Sequence, residues 1–291
     1  YEGSGDGTAV FRSDTNEGID REMSVRFVGS GESIERVVTQ EGLRQPFGLS
    51  SGGVFRVANG GRFGVLKVRG VDTSSYLTIV ALEDGLTASL SANACEYRID
   101  SGGWYSLSAD TKTPPINSGQ KLQFRGNLTP IEGVGIGTFS ISKKCNLEGN
   151  CMSLLFGDNA NSNNSLEGYN YAFYKLFFGS NSIVSVSNDF LPATTLEEYC
   201  YSTMFRNCKS LTTAPVLPAT TLLPHCYYYM FQGCSSLNWI KAMFTTTPIT
   251  RYTNYWVNGV ASTGTFVKNK DATWTNTGNS SVPSNWTIIK E

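Results

Sequence analysis

"LPATTLEEYCYSTMFRNCKSL" (Leu191–Leu211) is followed by "LPATTLLPHCYYYMFQGCSSL" (Leu217–Leu237), and aligning the two decides how the second half of this chain is read. Leu191 matches Leu217, Cys200 matches Cys226, Met204 matches Met230, Phe205 matches Phe231, and Cys208 matches Cys234, always 26 residues apart. Self-similarity at a fixed period points to stacked units, each unable to bury its apolar face alone. The opening LPATT is one substitution short of LPxTG, the signal by which sortases staple proteins to cell walls. Its fifth residue is Thr195 or Thr221 instead of Gly, and it occurs twice, so it is expected to be the corner of a repeating coil.

Working outward, "KLFFGSNSI" places Leu176, Phe177 and Ile183 under Met204, Phe205 and Leu211 at an offset of 28, giving a third copy. Tyr252, Trp256 and Val257 stand 26 after Cys226, Met230 and Phe231 as a fading fourth. Within a unit, Leu196, Cys200, Met204 and Cys208 are spaced by four, which on a helix would share one face. A short helix is therefore expected in each unit, with Thr195 and Glu198 as a capping box and Pro224 in the first turn of the next copy. "SLTTAPVLP" and "SLNWIKAMF" read as the short strand that follows. The polar tail from Thr265, carrying Trp274, Trp286, Ile288 and Ile289, is expected to cap the array.

Upstream the pattern changes to period two. "TAVFRS", "REMSVRFVG" and "SIERVVTQE" read as half-buried strands, and Asn59-Gly60-Gly61 between two apolar stretches of Val54–Val68 as a hairpin turn. After the joint "VDTSSY", six short strands beginning near Tyr76, Leu86, Cys95, Gly103, Lys121 and Gly137 fit a small sandwich. Asp100-Ser101-Gly102-Gly103 marks a tight hairpin that sets Tyr97 and Ile99 near Trp104 and Leu107, all expected in its core. The fold class expected is thus multi-domain and mainly β: β-domains over 1–72 and 73–144, repeats over 145–264, and a cap over 265–291.

Two resemblances sharpen this. The segment ending "SIERVVTQEG" resembles the closing strand of the BACON group of immunoglobulin-like modules, which implies an immunoglobulin-like fold for 1–72, and the small sandwich over 73–144 is expected to be a second immunoglobulin-like domain. Residues 146–262, with their LP turn, F-x-x-C spacing and Ser-Leu strand opening, resemble the BspA-like leucine-rich-repeat family. That resemblance implies a short strand-plus-helix solenoid in a non-enzymatic, exported bacterial surface protein, with no catalytic residues to carry over. Cell adhesion or recognition of a protein or glycan is the implied function. A structural spacer in a surface assembly and an accessory module of a carbohydrate-active enzyme are the alternatives.

Composition sets the other bounds. The chain has 291 residues, 40% hydrophobic, with 30 glycines and a net charge of -1, so neither nucleic acid nor an anionic membrane is an expected partner. No run approaches the roughly 18 apolar residues of a membrane span. The first residue is Tyr, so a start codon and any targeting or lipid-anchor signal are expected to precede it, the latter placing the protein on an outer membrane; otherwise it is extracellular. No cofactor is expected, and the chain is expected to be a monomer.

Chemical candidates are few. Seven cysteines cannot all pair, and four form a doubled C-x7-C pattern. Core-filling thiols are the first reading. A Cys200–Cys226 or Cys208–Cys234 bridge is conceivable because stacked coils lie about 5 Å apart, whereas zinc favours shorter ligand spacing. The single histidine, His225, holds the place of Tyr199 one repeat earlier. Glu197 with Glu198, or Asp84 with Asp100, could in principle form an acid pair for glycoside hydrolysis, but solvated carboxylates are the simpler reading. Glycine runs at Gly3 and Gly133 lack the Lys-Ser or Lys-Thr of a phosphate loop. Tyr228 and Tyr229, with Trp239 and Lys241 on the outer face of the strand, are the candidate ligand surface, since tyrosine and tryptophan favour interfaces.

Overall fold

Alternation of apolar and polar residues becomes strand pairing throughout a computed structural model of the chain. It describes residues 75–291 and three strands of the N-terminal segment, in two units, Tyr1–Thr73 and Ser74–Glu291. In the first unit β1 (Asp6–Phe11), β2 (Arg21–Gly29) and β3 (Glu32–Gln40) form an antiparallel sheet in that order. They coincide with the three period-two segments of the sequence. The Val54–Val68 hairpin and the remainder of the expected 1–72 domain lie outside the described residues.

The second unit is also mainly β. Its strands begin with β4 (Leu77–Ala81), β5 (Ala88–Leu90), β6 (Cys95–Ile99), β7 (Tyr105–Leu107), β8 (Lys121–Arg125) and β9 (Phe139–Ile141). β10 (Cys145–Glu148), β11 (Ile183–Val186), β12 (Trp239–Ala242), β13 (Thr265–Lys268) and β14 (Thr287–Lys290) complete the set. Helix is confined to two four-residue turns, Ser153–Phe156 and Thr250–Thr253, and a 3-10 segment, Gly157–Ser162. No helix among the described residues is long and apolar enough to cross a membrane.

The main sheet runs in the order β11-β10-β4-β8-β6-β7, while β5 and β9 pair separately. The rings of Phe124 on β8 and Phe139 on β9 meet at 4.9 Å and join these two layers. Tyr97 and Leu107 are buried as expected and Ile99 packs against the core from a partly buried position. Trp104 is not in the core. It lies part-exposed against Tyr76, with the guanidinium carbons of Arg98 and Arg125 4.8 and 4.2 Å from its ring, because the hairpin leaves it on the outer face of the sheet.

The boundary expected near residue 144 falls inside this sheet. β10 pairs antiparallel with β4 on one side and parallel with β11 on the other. Parallel bridges then link Ser185 to Thr213 and Thr213 to Trp239, and β12, β13 and β14 continue in parallel. One hydrogen-bonded sheet therefore extends from β7 to β14. The tail expected as a cap supplies the last two strands, and the indole N–H groups of Trp256, Trp274 and Trp286 donate to the carbonyls of Ser281, Phe244 and Ala261 around it.

The short helix expected in each repeat is absent from the coils at 169–179, 196–208 and 222–234 and is present as the four-residue turn Thr250–Thr253 in the fading fourth copy. The backbone explains the absence. From Tyr199 to Cys208 the amides alternate. Those of Tyr199, Tyr201, Thr203, Phe205 and Asn207 donate forward to Pro224, Cys226, Tyr228, Met230 and Gln232 of the next coil. Those of Cys200, Ser202, Met204, Arg206 and Cys208 donate to the carbonyl three residues back. A left-handed residue recurs every fourth position, at Tyr199, Thr203 and Asn207, then at His225, Tyr229 and Gly233. Such a residue costs about 1–2 kcal/mol and cannot occur inside an α-helix. Cys, Tyr, Ser and Thr are poor helix formers, so a neighbouring coil offering fixed acceptors wins. The burial period is still four, because each four-residue turn returns one side chain inward: Leu196, Cys200, Met204 and Cys208 are all buried. Thr195, expected as a helix cap, instead makes a parallel bridge with Ser165.

Stacking builds the core from like residues. Phe139, Phe177, Phe205 and Phe231 form a column with ring centroids 5.5, 5.5 and 5.8 Å apart, and Phe173, Tyr201 and Tyr227 form a second.

Candidate functional site

The turn side of the coils carries aromatic columns for the same reason as the core. Tyr171 and Tyr199 stack at 4.6 Å with planes 2° apart, and His225 adds to them at 4.5 Å. Beside them, Tyr228 meets Tyr229 edge-on at 4.3 Å, Tyr229 stacks on Tyr255 at 5.8 Å, and Arg206 lies 5.0 Å over the Tyr229 ring. The hydrogen bond with Tyr228 and then burial push the Tyr229 phenol above its ordinary pKa. Burial and the nearby Glu198 carboxylate do the same for Tyr199. Ring faces in these columns are spent on neighbouring rings, so the columns offer edges and hydroxyls outward.

Trp239 and Lys241 project from the opposite kind of surface, the outer face of the sheet, where β12 alternates Trp239 and Lys241 outward with buried Ile240 and Ala242. The four residues expected to form one surface thus belong to two, Tyr228 and Tyr229 on the turns, Trp239 and Lys241 on the sheet. Lys241 is held by Glu291 at 2.9 Å. Trp239 is different. Among the described residues no ring or cation packs against its indole and its N–H has no partner, whereas Trp256, Trp274 and Trp286 each donate to a backbone carbonyl.

Register places Trp239 in a row of side chains crossing the strands, Asn146, Ser185, Thr213, Trp239, Thr265 and Thr287. The neighbouring row starts Arg98, Gln123, Thr78, Glu148. Over it lies a groove of about 360 Å³ lined by Tyr76, Thr78, Lys121, Gln123, Glu148, Ser187 and Asp189. Lys121 pairs with Glu148 across it at 2.9 Å. Two polar atoms on this face, Asn146 Oδ1 and Ser187 Oγ, are buried with no hydrogen-bond partner. Alternation could have identified Thr78, Gln123 and Glu148 as outward residues. Their convergence needed the strand order, because they come from β4, β8 and β10 with Ser187 and Asp189 from the following coil.

The chemical candidates have structural duties. All seven cysteines are free and buried. Cys208 and Cys234 donate their thiols to the carbonyls of Phe177 and Phe205 at 3.1 and 2.9 Å, one coil back. Burial pushes the thiols of Cys95, Cys145, Cys226 and Cys234 up to about 12, which keeps them protonated. Asp84 accepts from the Ser118 amide, and Asp100 accepts from the Lys121 amide and the Gln120 side chain. Glu197 accepts from the amides of Gly168 and Glu198. These carboxylates fix turns. Among the described residues no three His, Cys, Asp or Glu side chains converge as metal ligands.

No known protein family, curated protein or solved structure matches the chain.

Proposed function

We propose that the protein is a non-enzymatic, exported bacterial surface protein that recognises a protein or glycan through its coils. In this reading residues 145–264 are a BspA-like leucine-rich-repeat solenoid that continues the sheet of 73–144, and the N-terminal β-domain ahead of them is an immunoglobulin-like spacer. The observation that carries it is the coil-to-coil hydrogen bonding, which fixes two outward faces, one of stacked tyrosines and one of sheet residues, without any need for ligand to order them. The carboxylates offered by the sequence as an acid pair hold turns instead, which favours recognition over hydrolysis.

A glycan array combined with pull-down from host extracellular matrix tests the reading. Binding without turnover is expected; no binding in either assay, with or without turnover in a hydrolase screen, overturns it. A scaffold role is the second reading, favoured by the unbroken sheet from β7 to β14. Deleting the coils separates the two: lost adhesion with assembly intact marks recognition, and the reverse marks scaffolding.

A further inference from the structure

We infer that the outer sheet face is a site for a neutral oligosaccharide, lying across the strands with one sugar ring on the Trp239 indole and another in the groove beside Gln123. The inference rests on the recognition reading and names both the ligand class and the face.

Four observations carry it. First, Trp239 presents an unstacked indole in a row of small polar side chains. A flat apolar ring at a polar surface matches a pyranose, which has an apolar C–H face and a rim of hydroxyls. The tyrosine columns on the turn side are less suited, because Tyr199 and Tyr229 are stacked on neighbouring rings and their faces are largely taken. Second, the groove is lined by hydroxyl, amide and carboxylate groups, the set that pairs with sugar hydroxyls. Gln123 accepts from Arg98 and donates to Thr78, and Lys121 pairs with Glu148, which holds them in place and leaves their remaining donor and acceptor positions, with Ser187 and Asp189, to a ligand. Third, Asn146 Oδ1 and Ser187 Oγ are without partners on this same face, and a buried polar atom in that condition calls for one. Both atoms are closed to solvent as they stand, so a sugar hydroxyl meets them only once the side chains turn outward, donating to the first and accepting from the second.

Fourth, charge selects the ligand. Lys121 is matched by Glu148, Lys241 by Glu291 and Arg125 by Glu96 and Asp158, with the Arg98 charge also acting on Asp158, so the cations of this face are internally neutralised and a polyanion gains little. A peptide is also disfavoured. Interior strands of the sheet have their backbone groups committed to the ladder, so a peptide could not add as a strand here. From Gln123 on β8 to Trp239 on β12 the path crosses five strand spacings, about 24 Å. A single sugar cannot bridge that distance, but an oligomer can.

The intact chain is titrated calorimetrically with cellohexaose, xylohexaose, maltohexaose, mannohexaose and N-acetylchitohexaose, and with the disaccharide of any that binds. The expected result is binding of at least one hexaose, at least roughly tenfold tighter than its disaccharide. Trp239→Ala weakens the hexaose by roughly tenfold or more, Trp239→Phe by less, and Gln123→Ala weakens the hexaose, while Lys112→Ala, an exposed residue off both faces, leaves it unchanged. Circular dichroism of each variant verifies folding, and Trp239→Phe keeps the test decisive if the alanine variant is unfolded. Binding that is indifferent to Trp239 in folded protein overturns the site. If no hexaose binds while a matrix protein is captured, the glycan site falls and the recognition reading stands. If nothing binds in either assay, both fall.

Discussion

Replacing Phe205 by alanine tests the stacked core directly. Phe205 is fully buried, and its ring is sandwiched between Phe177 at 5.5 Å and Phe231 at 5.8 Å, each within about 11° of parallel. Truncating a buried phenylalanine costs about 3–5 kcal/mol. Losing two aromatic contacts, each worth about 0.5–1.5 kcal/mol beyond burial, moves the expectation to the upper end, about 5 kcal/mol. For a unit of about 220 residues, Ser74–Glu291, a change of 1 kcal/mol moves Tm by about 2–4 °C. The expected fall is therefore roughly 10–20 °C, read by circular dichroism during heating. Tyr229→Ala is the control: its ring also stacks on the next coil but is part-exposed, so a cost of about 1 kcal/mol is expected. If Phe205→Ala lowers Tm no more than Tyr229→Ala does, the column is not what holds the coils together.

Three further outcomes follow from features already described. Native protein is expected to leave all seven thiols unreactive toward a disulfide reagent, with reaction of all of them in guanidinium; rapid native reaction of Cys200 or Cys226 would contradict their burial. Because folding raises the pKa of Cys95, Cys145, Cys226 and Cys234 from 9.0 to about 12, the unfolded chain loses those protons first as pH rises. Their stabilisation is complete below pH 9 and declines toward pH 12 by up to about 1.4 kcal/mol per pH unit per thiol, so the urea midpoint should fall across that window. Gly137→Ala should destabilise by more than about 2 kcal/mol in urea unfolding, since Gly137 has φ +107° and an added Cβ would collide with the Ser91 carbonyl. His225→Tyr restores the residue of the previous coil in a stacked column and should change stability by less than about 1 kcal/mol in the same assay.

The repeat was legible in sequence because stacking puts like on like: Cys, Met, Phe and Leu return at an offset of 26, all of them are buried, and Phe205 stacks on Phe231. The conformation between those residues was not legible. Leu196, Cys200, Met204 and Cys208 turn inward every fourth residue in a helix and in a chain of left-handed turns alike, so spacing could not separate the two. What decides is the set of carbonyls that the next coil supplies, a tertiary fact. Strand alternation was enough to send Trp239 and Lys241 outward, but it could not reveal that Tyr228 and Tyr229 face another way. Trp104 looked like core because it follows a hairpin beside Tyr97. Two arginines on neighbouring strands, invisible to local pattern, keep it at the surface.

The alternation of amides between the chain's own turn and the coil ahead bears on how such a protein can change over generations. Every interior coil receives hydrogen bonds on one side and gives them on the other, in the same places. A duplicated stretch of 26 residues would arrive with both sets in register, and its loss would rejoin them. Length can then drift in whole coils while either surface keeps its chemistry, so the extent of both faces is set by copy number instead of by new sequence.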